Sequence, residues 1–148
     1  MRIRGNRSRY ERILSARAAV MDRFVMVFVG AGAGGLARFI AGTFIMQRYA
    51  GRFPLGTFII NVSGSFLIGV LMSFLSERLD LSPNWRLLLV VGFLGGYTTF
   101  SSFEYETLVA VRSGSPALAL LNVVGSVVFG YAAVWLGAIL GARLAWKG

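Results

Sequence analysis

The chain has 148 residues, 56% of them hydrophobic and 14% charged, with a formal net charge of +9 and neither cysteine nor histidine. The missing residue types exclude disulfides, thiol chemistry and zinc sites built on Cys or His, and a mean hydropathy of +0.70 lies well to the apolar side of a soluble domain. The positive charge is no nucleic-acid signal, because Arg2, Arg4, Arg7, Arg9, Arg12 and Arg17 all precede the apolar body; without them and Glu11 the balance is +4.

Residues 1–22 read as a basic N-terminal extension. It is expected to be disordered, or to be the product of a start codon upstream of a true start at Met21. A tail that meets anionic lipid and a secretory leader are further readings, but the apolar pattern resumes after Arg38, which favours a retained helix. Residues 23–148 form one membrane domain, with stretches poor in charge predicting four spans at about 24–47, 54–76, 85–111 and 114–142. These lengths suit the roughly 17–25 residues that cross a bilayer core. The fold class is therefore an all-α, multi-pass membrane protein. From Met21 onward one side carries five positive residues and the other three, a weak bias for orientation; the extension raises this to eleven against three and points the N-terminus to the cytoplasm.

In the first span, "GAGAGGLARF" satisfies a G-x-G-x-x-G count at Gly30, Gly32 and Gly35 after the strand-like "VMVFV". A dinucleotide site also needs an acidic residue about twenty positions on, and no Asp or Glu lies between Asp22 and Glu77. Gly30 and Gly34 read better as a small-x-x-x-small face against another helix. Arg38 lies deep in the same span, where an arginine costs at least ~2.5 kcal/mol unless it reaches water or a partner. It either snorkels to an interface or supplies positive charge to a water-filled vestibule.

The second span carries Thr57, Asn61 and Ser65 at i, i+4 and i+8, one helical stripe. Such a stripe glues helices together or lines a polar pathway. The fourth repeats the device with Asn122, Ser126 and Gly130, and adds Gly137 and Gly141 as a helix-packing pair. Tyr49, Phe53, Trp85 and Trp146 suit interface anchors.

The third span holds "GFLGGYTTFSSF". Gly95-Gly96 followed by Tyr97 and two threonines weakens the helix, and irregular backbone exposed to lipid would strand polar groups at several kcal/mol each. A break there must be buried in protein or line a cavity, a recurring construction of ion sites. Beyond it Phe100 and Phe103 share a face, with Ser101 and Ser102 beside them, and the positive edges of aromatic rings suit a small anion.

Together, "GAGAGGLARF", "GTFIINVSGSFLIG", "GFLGGYTTFSSF" and "NVVGSVVFG" resemble the Fluc (CrcB) family of fluoride channels over about residues 24–142. The resemblance implies an antiparallel, dual-topology homodimer of four-helix subunits with the third helix broken near its middle, passing fluoride out of the cell through the inner (plasma) membrane and conferring fluoride resistance. It implies no enzyme activity and no nucleic-acid partner. By position, Asn61 matches a pore asparagine whose amide donates to the ion, and Phe100 and Phe103 match paired ring-edge donors. Ser101 and Ser102 match a hydroxyl track, although many members have threonine at the position of Ser102. Thr57 and Glu106 match a polar-track threonine and a glutamate near the anion route; Ser126 is added from the stripe on span four. Arg38 matches a vestibule arginine. Gly95 and Thr98 match positions whose backbone carbonyls, from both subunits, hold a structural sodium ion at the dimer centre. Where Asn122 stands, some members have tyrosine.

Two other functions compete with this expectation. A small dual-topology multidrug/proton exporter needs a membrane-embedded carboxylate, and spans one and two contain none. A non-transporting membrane subunit would use its polar residues only to join helices.

Overall fold

The computed structural model describes residues 3–77 and 83–146. Residues 78–82, most of the connection between spans two and three, lie outside them, as do Arg2, Arg78 and Lys147 of the orientation count. Four helical stretches are long and apolar enough to cross a membrane: Leu14–Arg48, Leu55–Ser76, Arg86–Arg112 and Pro116–Trp146. Each overlaps one of the four expected spans.

Helix α1 (Ile3–Arg48) has 46 residues, about 69 Å at 1.5 Å per residue, far more than the ~30 Å of a bilayer core. Its first twenty residues are the basic extension. The described part of the extension continues the helix of the first span. Ala16, Ala18 and Ala19, with four arginines between positions 7 and 17, are strong helix formers, and neither Gly nor Pro interrupts the chain between Gly5 and Gly30. "VMVFV" is helix too, which removes the strand that a dinucleotide fingerprint requires.

Helix α2 (Leu55–Glu77) packs most extensively on α6 (Pro116–Trp146). Between them the third span is assembled from pieces: a turn α3 (Pro83–Trp85), a π-helical segment π1 (Arg86–Leu94), a turn α4 (Gly95–Tyr97) and helix α5 (Phe100–Arg112). Nine residues of π-helix exceed the usual single-turn bulge, and such widened turns concentrate at functional sites. The sequence signals at Gly95-Gly96 did not extend back to this segment.

Lipid tails are as apolar as Leu, so helices associate in a bilayer by close packing rather than by hydrophobic exclusion of water. Two glycine seams supply that approach. Gly30 and Gly34 of α1 are buried against the backbone of Leu88, Gly92 and Phe93, while Gly96 faces Ala31 and Gly35. Gly69 meets Val134 and Ala138, and Gly137 and Gly141 meet Phe66 and Val70. Both small-residue pairs read from the sequence are thus helix contacts. Gly32 and Gly35, by contrast, have nothing within 4 Å of an added methyl.

Helix α5 turns into α6 through "SGSP". The Ser115 amide donates to the Ala110 carbonyl at 2.9 Å and the Gly114 amide to Val111 at 3.1 Å, a Schellman closure. Gly114 has φ +75°, where a side chain is strained. Pro116 opens α6, where its missing N–H costs nothing.

The α1 seam makes a sharp contrast testable. A methyl on Gly34 would overlap the Phe93 carbonyl, and one on Gly35 would meet nothing. Gly34→Ala is expected to destabilise the folded chain by about 1–3 kcal/mol, and Gly35→Ala by less than about 0.5 kcal/mol. Thermal unfolding in detergent compares them; equal midpoints would remove this seam.

Candidate functional site: an interrupted span beside polar cavities

Helix α4 stops at Thr98 (φ −83°, ψ 158°), Thr99 is also extended (φ −149°, ψ 118°), and α5 resumes at Phe100. Two adjacent β-branched residues favour that conformation. Local hydrogen bonds seal both helix ends. The Thr98 amide and Oγ1 both donate to the Leu94 carbonyl, at 3.0 and 2.9 Å. Thr99 caps α5, its Oγ1 accepting from the Ser102 amide at 3.3 Å, the usual service of an N-cap threonine.

In an unbroken helix the Thr99 amide would donate to the Gly95 carbonyl. Here it donates to Asn61 Oδ1 at 2.9 Å, while Asn61 Nδ2 donates to the Thr99 carbonyl at 2.9 Å. The partners fix the orientation of the Asn61 amide, since a backbone N–H only donates and a carbonyl only accepts. Asn61 therefore clasps the interruption from α2, and one Nδ2 hydrogen remains for another acceptor.

A cavity of about 430 Å³ lies beside the interruption, lined by Asn61, Ser65, Gly95, Phe100, Phe103 and Ser126 among others. The two phenyl rings lie 5.7 Å apart between centroids at 43°. Phe103 is 8% exposed and Phe100 73%, so the pair joins the interior of the chain to its outer face. Ser126 lines this cavity, and its Oγ is buried without a hydrogen-bond partner.

A second cavity, of about 450 Å³, is lined by Arg38, Arg52, Thr57, Thr99, Ser102 and Glu106 among others. Thr57 Oγ1 donates to Glu106 Oε1 at 2.7 Å, while Glu106 Oε2 is buried without a partner. Ser102 Oγ accepts from Thr99 Oγ1 at 3.0 Å, so its own hydrogen is uncommitted. The stripe Thr57, Asn61 and Ser65 thus spans both cavities, with Asn61 beside their common residue Thr99.

Arg38 does not snorkel away from the interruption: its Nη1 donates to the Thr98 carbonyl at 3.3 Å. Ser101 is exposed and lines neither cavity, apart from the other pore candidates within this single chain. Asn122 is 2% exposed and lines neither cavity. Its Nδ2 donates to Thr107 Oγ1 at 2.9 Å, and Thr107 Oγ1 donates to the Phe103 carbonyl at 2.8 Å. This relay ties α6 to α5 at the Phe103 carbonyl. Thr107 was missed from the sequence; its only local signal is its place four residues after Phe103, where a threonine hydroxyl reaches back to a carbonyl. The Tyr97 hydroxyl was missed as well. It lies 3.0 Å from Ser63 Oγ, and because Ser63 donates to the Ile60 carbonyl, Tyr97 is the donor.

Among the described residues no group of three His, Cys, Asp or Glu could hold a metal ion, which leaves carbonyl oxygens as cation ligands. Gly95 and Thr98 both line the first cavity. The Gly95 carbonyl is released from its helical donor by the Asn61 clasp, and the Thr98 carbonyl, with two lone pairs, has accepted one bond from Arg38. Carbonyl oxygens of this kind are ligands that a hard cation takes.

The family model for CrcB-like protein, Camphor Resistance (CrcB), matches residues 25–138. A protein of Solibacter usitatus named Fluoride-specific ion channel FluC is 57% identical over 121 residues, 82% of this chain and 99% of its own length. Proteins of the same name from Acidobacterium capsulatum and Coxiella burnetii are 48% and 45% identical, covering 82% and 81% of this chain and 98% of their own lengths. With the family match running through all four spans and both sides of the interruption, the chain belongs to the CrcB family.

Proposed function

We propose that this protein is a fluoride channel of the plasma membrane, passing the ion down its electrochemical gradient and so out of the cell, with fluoride resistance as the consequence. The relatives above carry the name of fluoride-specific channels, which are not enzymes, and none of them is named as an exporter. The observation that carries the reading is the first cavity. It places an extended stretch of a membrane span beside an amide, hydroxyls and paired phenyl rings.

Fluoride is small and tightly hydrated, so a selective route must replace its water with many donors at close range, each weak enough to release the ion. The uncommitted hydrogens of Asn61, Ser126 and Ser102 suit that task, with the ring edges of Phe100 and Phe103. Ser65 and Thr57 extend the polar lining. Glu106, bonded to Thr57, borders the route, and Arg38 lines the same cavity.

The working unit in this reading is an antiparallel homodimer. Gly95 and Phe100 are exposed on the single chain, and backbone at an interruption is tolerated in a bilayer only when protein or a water-filled cavity covers it. A second copy would provide that cover and bring Ser101 to the interface. It would also bring a second pair of Gly95 and Thr98 carbonyls to a sodium ion, four oxygens in all. Bound there, the cation would supply fixed positive charge between two anion routes.

Purified protein in liposomes is expected to release fluoride far faster than chloride, with electrogenic flux that a proton gradient does not drive. Asn61→Ala and Phe100→Ile should abolish the flux while the dimer still assembles, as judged by chemical cross-linking. Intact flux in both variants would remove these residues from the route; proton-driven flux would favour an exporter, and no flux from the wild type a helix-joining subunit.

The clasp adds an independent expectation. Asn61→Ala should speed hydrogen exchange of the Thr99 amide by roughly tenfold, the equivalent of one lost hydrogen bond, with amides in α6 unchanged. An unaltered Thr99 rate would show that the interruption does not depend on Asn61.

A further inference from the structure

The cavity chain extends beyond the residues assigned so far. A third cavity, of about 600 Å³, is lined by Arg52, Pro54, Tyr105, Glu106, Ser113 and Ser115 among others. It shares Arg52, Pro54 and Glu106 with the second cavity, and the second shares Thr99 with the first. The three therefore form a series. It starts at the end of the bundle where the connection of residues 49–54 meets the turn before α6, and it runs inward past Thr57 and Thr99 to the Phe100 and Phe103 rings.

Charge along this series is uneven. Glu106 borders both outer cavities, with one oxygen accepting from Thr57 and the other buried without a partner. Arg38 faces the second cavity but is committed to the Thr98 carbonyl. Arg48, at the same end of the molecule, lies 3.6 Å over the Phe44 ring, bonds the Phe44 carbonyl and lines none of the three cavities. Arg52 is exposed, lines both outer cavities, and makes no hydrogen bond or ion pair among the described residues.

We propose that Arg52 is an anion-capture residue at the mouth of this series, holding small monovalent anions where the two outer cavities join and delivering them past Glu106 toward Thr99. The inference rests on the fluoride reading above. A guanidinium suits the role because it stays charged at every relevant pH and presents several donors. One positive charge in a concave mouth raises the local concentration of anions, an effect that ionic strength suppresses.

Fluoride flux through reconstituted protein, measured against fluoride concentration, tests the assignment. At ionic strength of ~10 mM, Arg52→Gln is expected to raise the half-saturating fluoride concentration about threefold with maximal flux unchanged, and the difference should vanish above ~0.5 M potassium gluconate. Arg52→Lys should restore the wild-type value. Arg48→Gln removes the same charge at the same end and should shift the curve much less than Arg52→Gln.

Unchanged half-saturation in Arg52→Gln, or an equal shift in Arg48→Gln, would overturn the assignment while leaving the channel reading intact. A fall in maximal flux alone would also overturn it, marking Arg52 as structural. A wild-type chain that passes no fluoride would overturn the channel reading and this inference together.

Discussion

The structure depends on the satisfaction of two backbone groups at Thr99. Within a membrane span an unpaired amide or carbonyl costs several kcal/mol, so a helix can be interrupted only where something replaces its internal bonds. Asn61 does this from a neighbouring helix, giving one acceptor and one donor to the same residue. An asparagine is the shortest side chain with both functions on one planar group, and its second N–H stays available. Holding the interruption and offering a donor to the adjacent cavity are therefore tasks of one amide.

The clasp requires α2 and the third span to keep a fixed separation, and the glycine seams hold the helices on which that separation depends. Gly30 and Gly34 bring α1 against the backbone of π1, while Gly69, Gly137 and Gly141 do the same for α2 and α6. Gly64 of α2 lies under the Thr98 methyl, leaving no space for a side chain. Packing of this kind offers few continuous adjustments, since backbones in direct contact move together. Arg38, the Asn122–Thr107 relay and the Tyr97–Ser63 pair then fasten the same region from three further directions.

Polar residues not consumed by this fastening line the cavities. Ser126, Ser102 and the remaining Asn61 hydrogen are available as donors, and one carboxyl oxygen of Glu106, at the outer part of the series, is buried without a partner. In the proposed channel, an inner wall of donors and a guanidinium at the entrance would favour anions without trapping them. Binding that is too strong would halt conduction as surely as binding that is too weak.

Much of this was legible without coordinates. Four apolar stretches, a glycine face on span one, a polar stripe on span two and helix-weakening residues in span three are local properties, set by side-chain polarity, helical periodicity and backbone propensity. The combination of motifs also carried the family. What residues 57, 61 and 65 each touch was not legible, because a stripe defines a direction on one helix and not the partner opposite it. Only the packed helices made Asn61 a clasp for Thr99, set Arg38 on the Thr98 carbonyl and turned Asn122 from a lining candidate into a buried tie to Thr107. Those pairings join positions 15 to 60 residues apart, and distances of that kind are decided by helix approach rather than by any local preference.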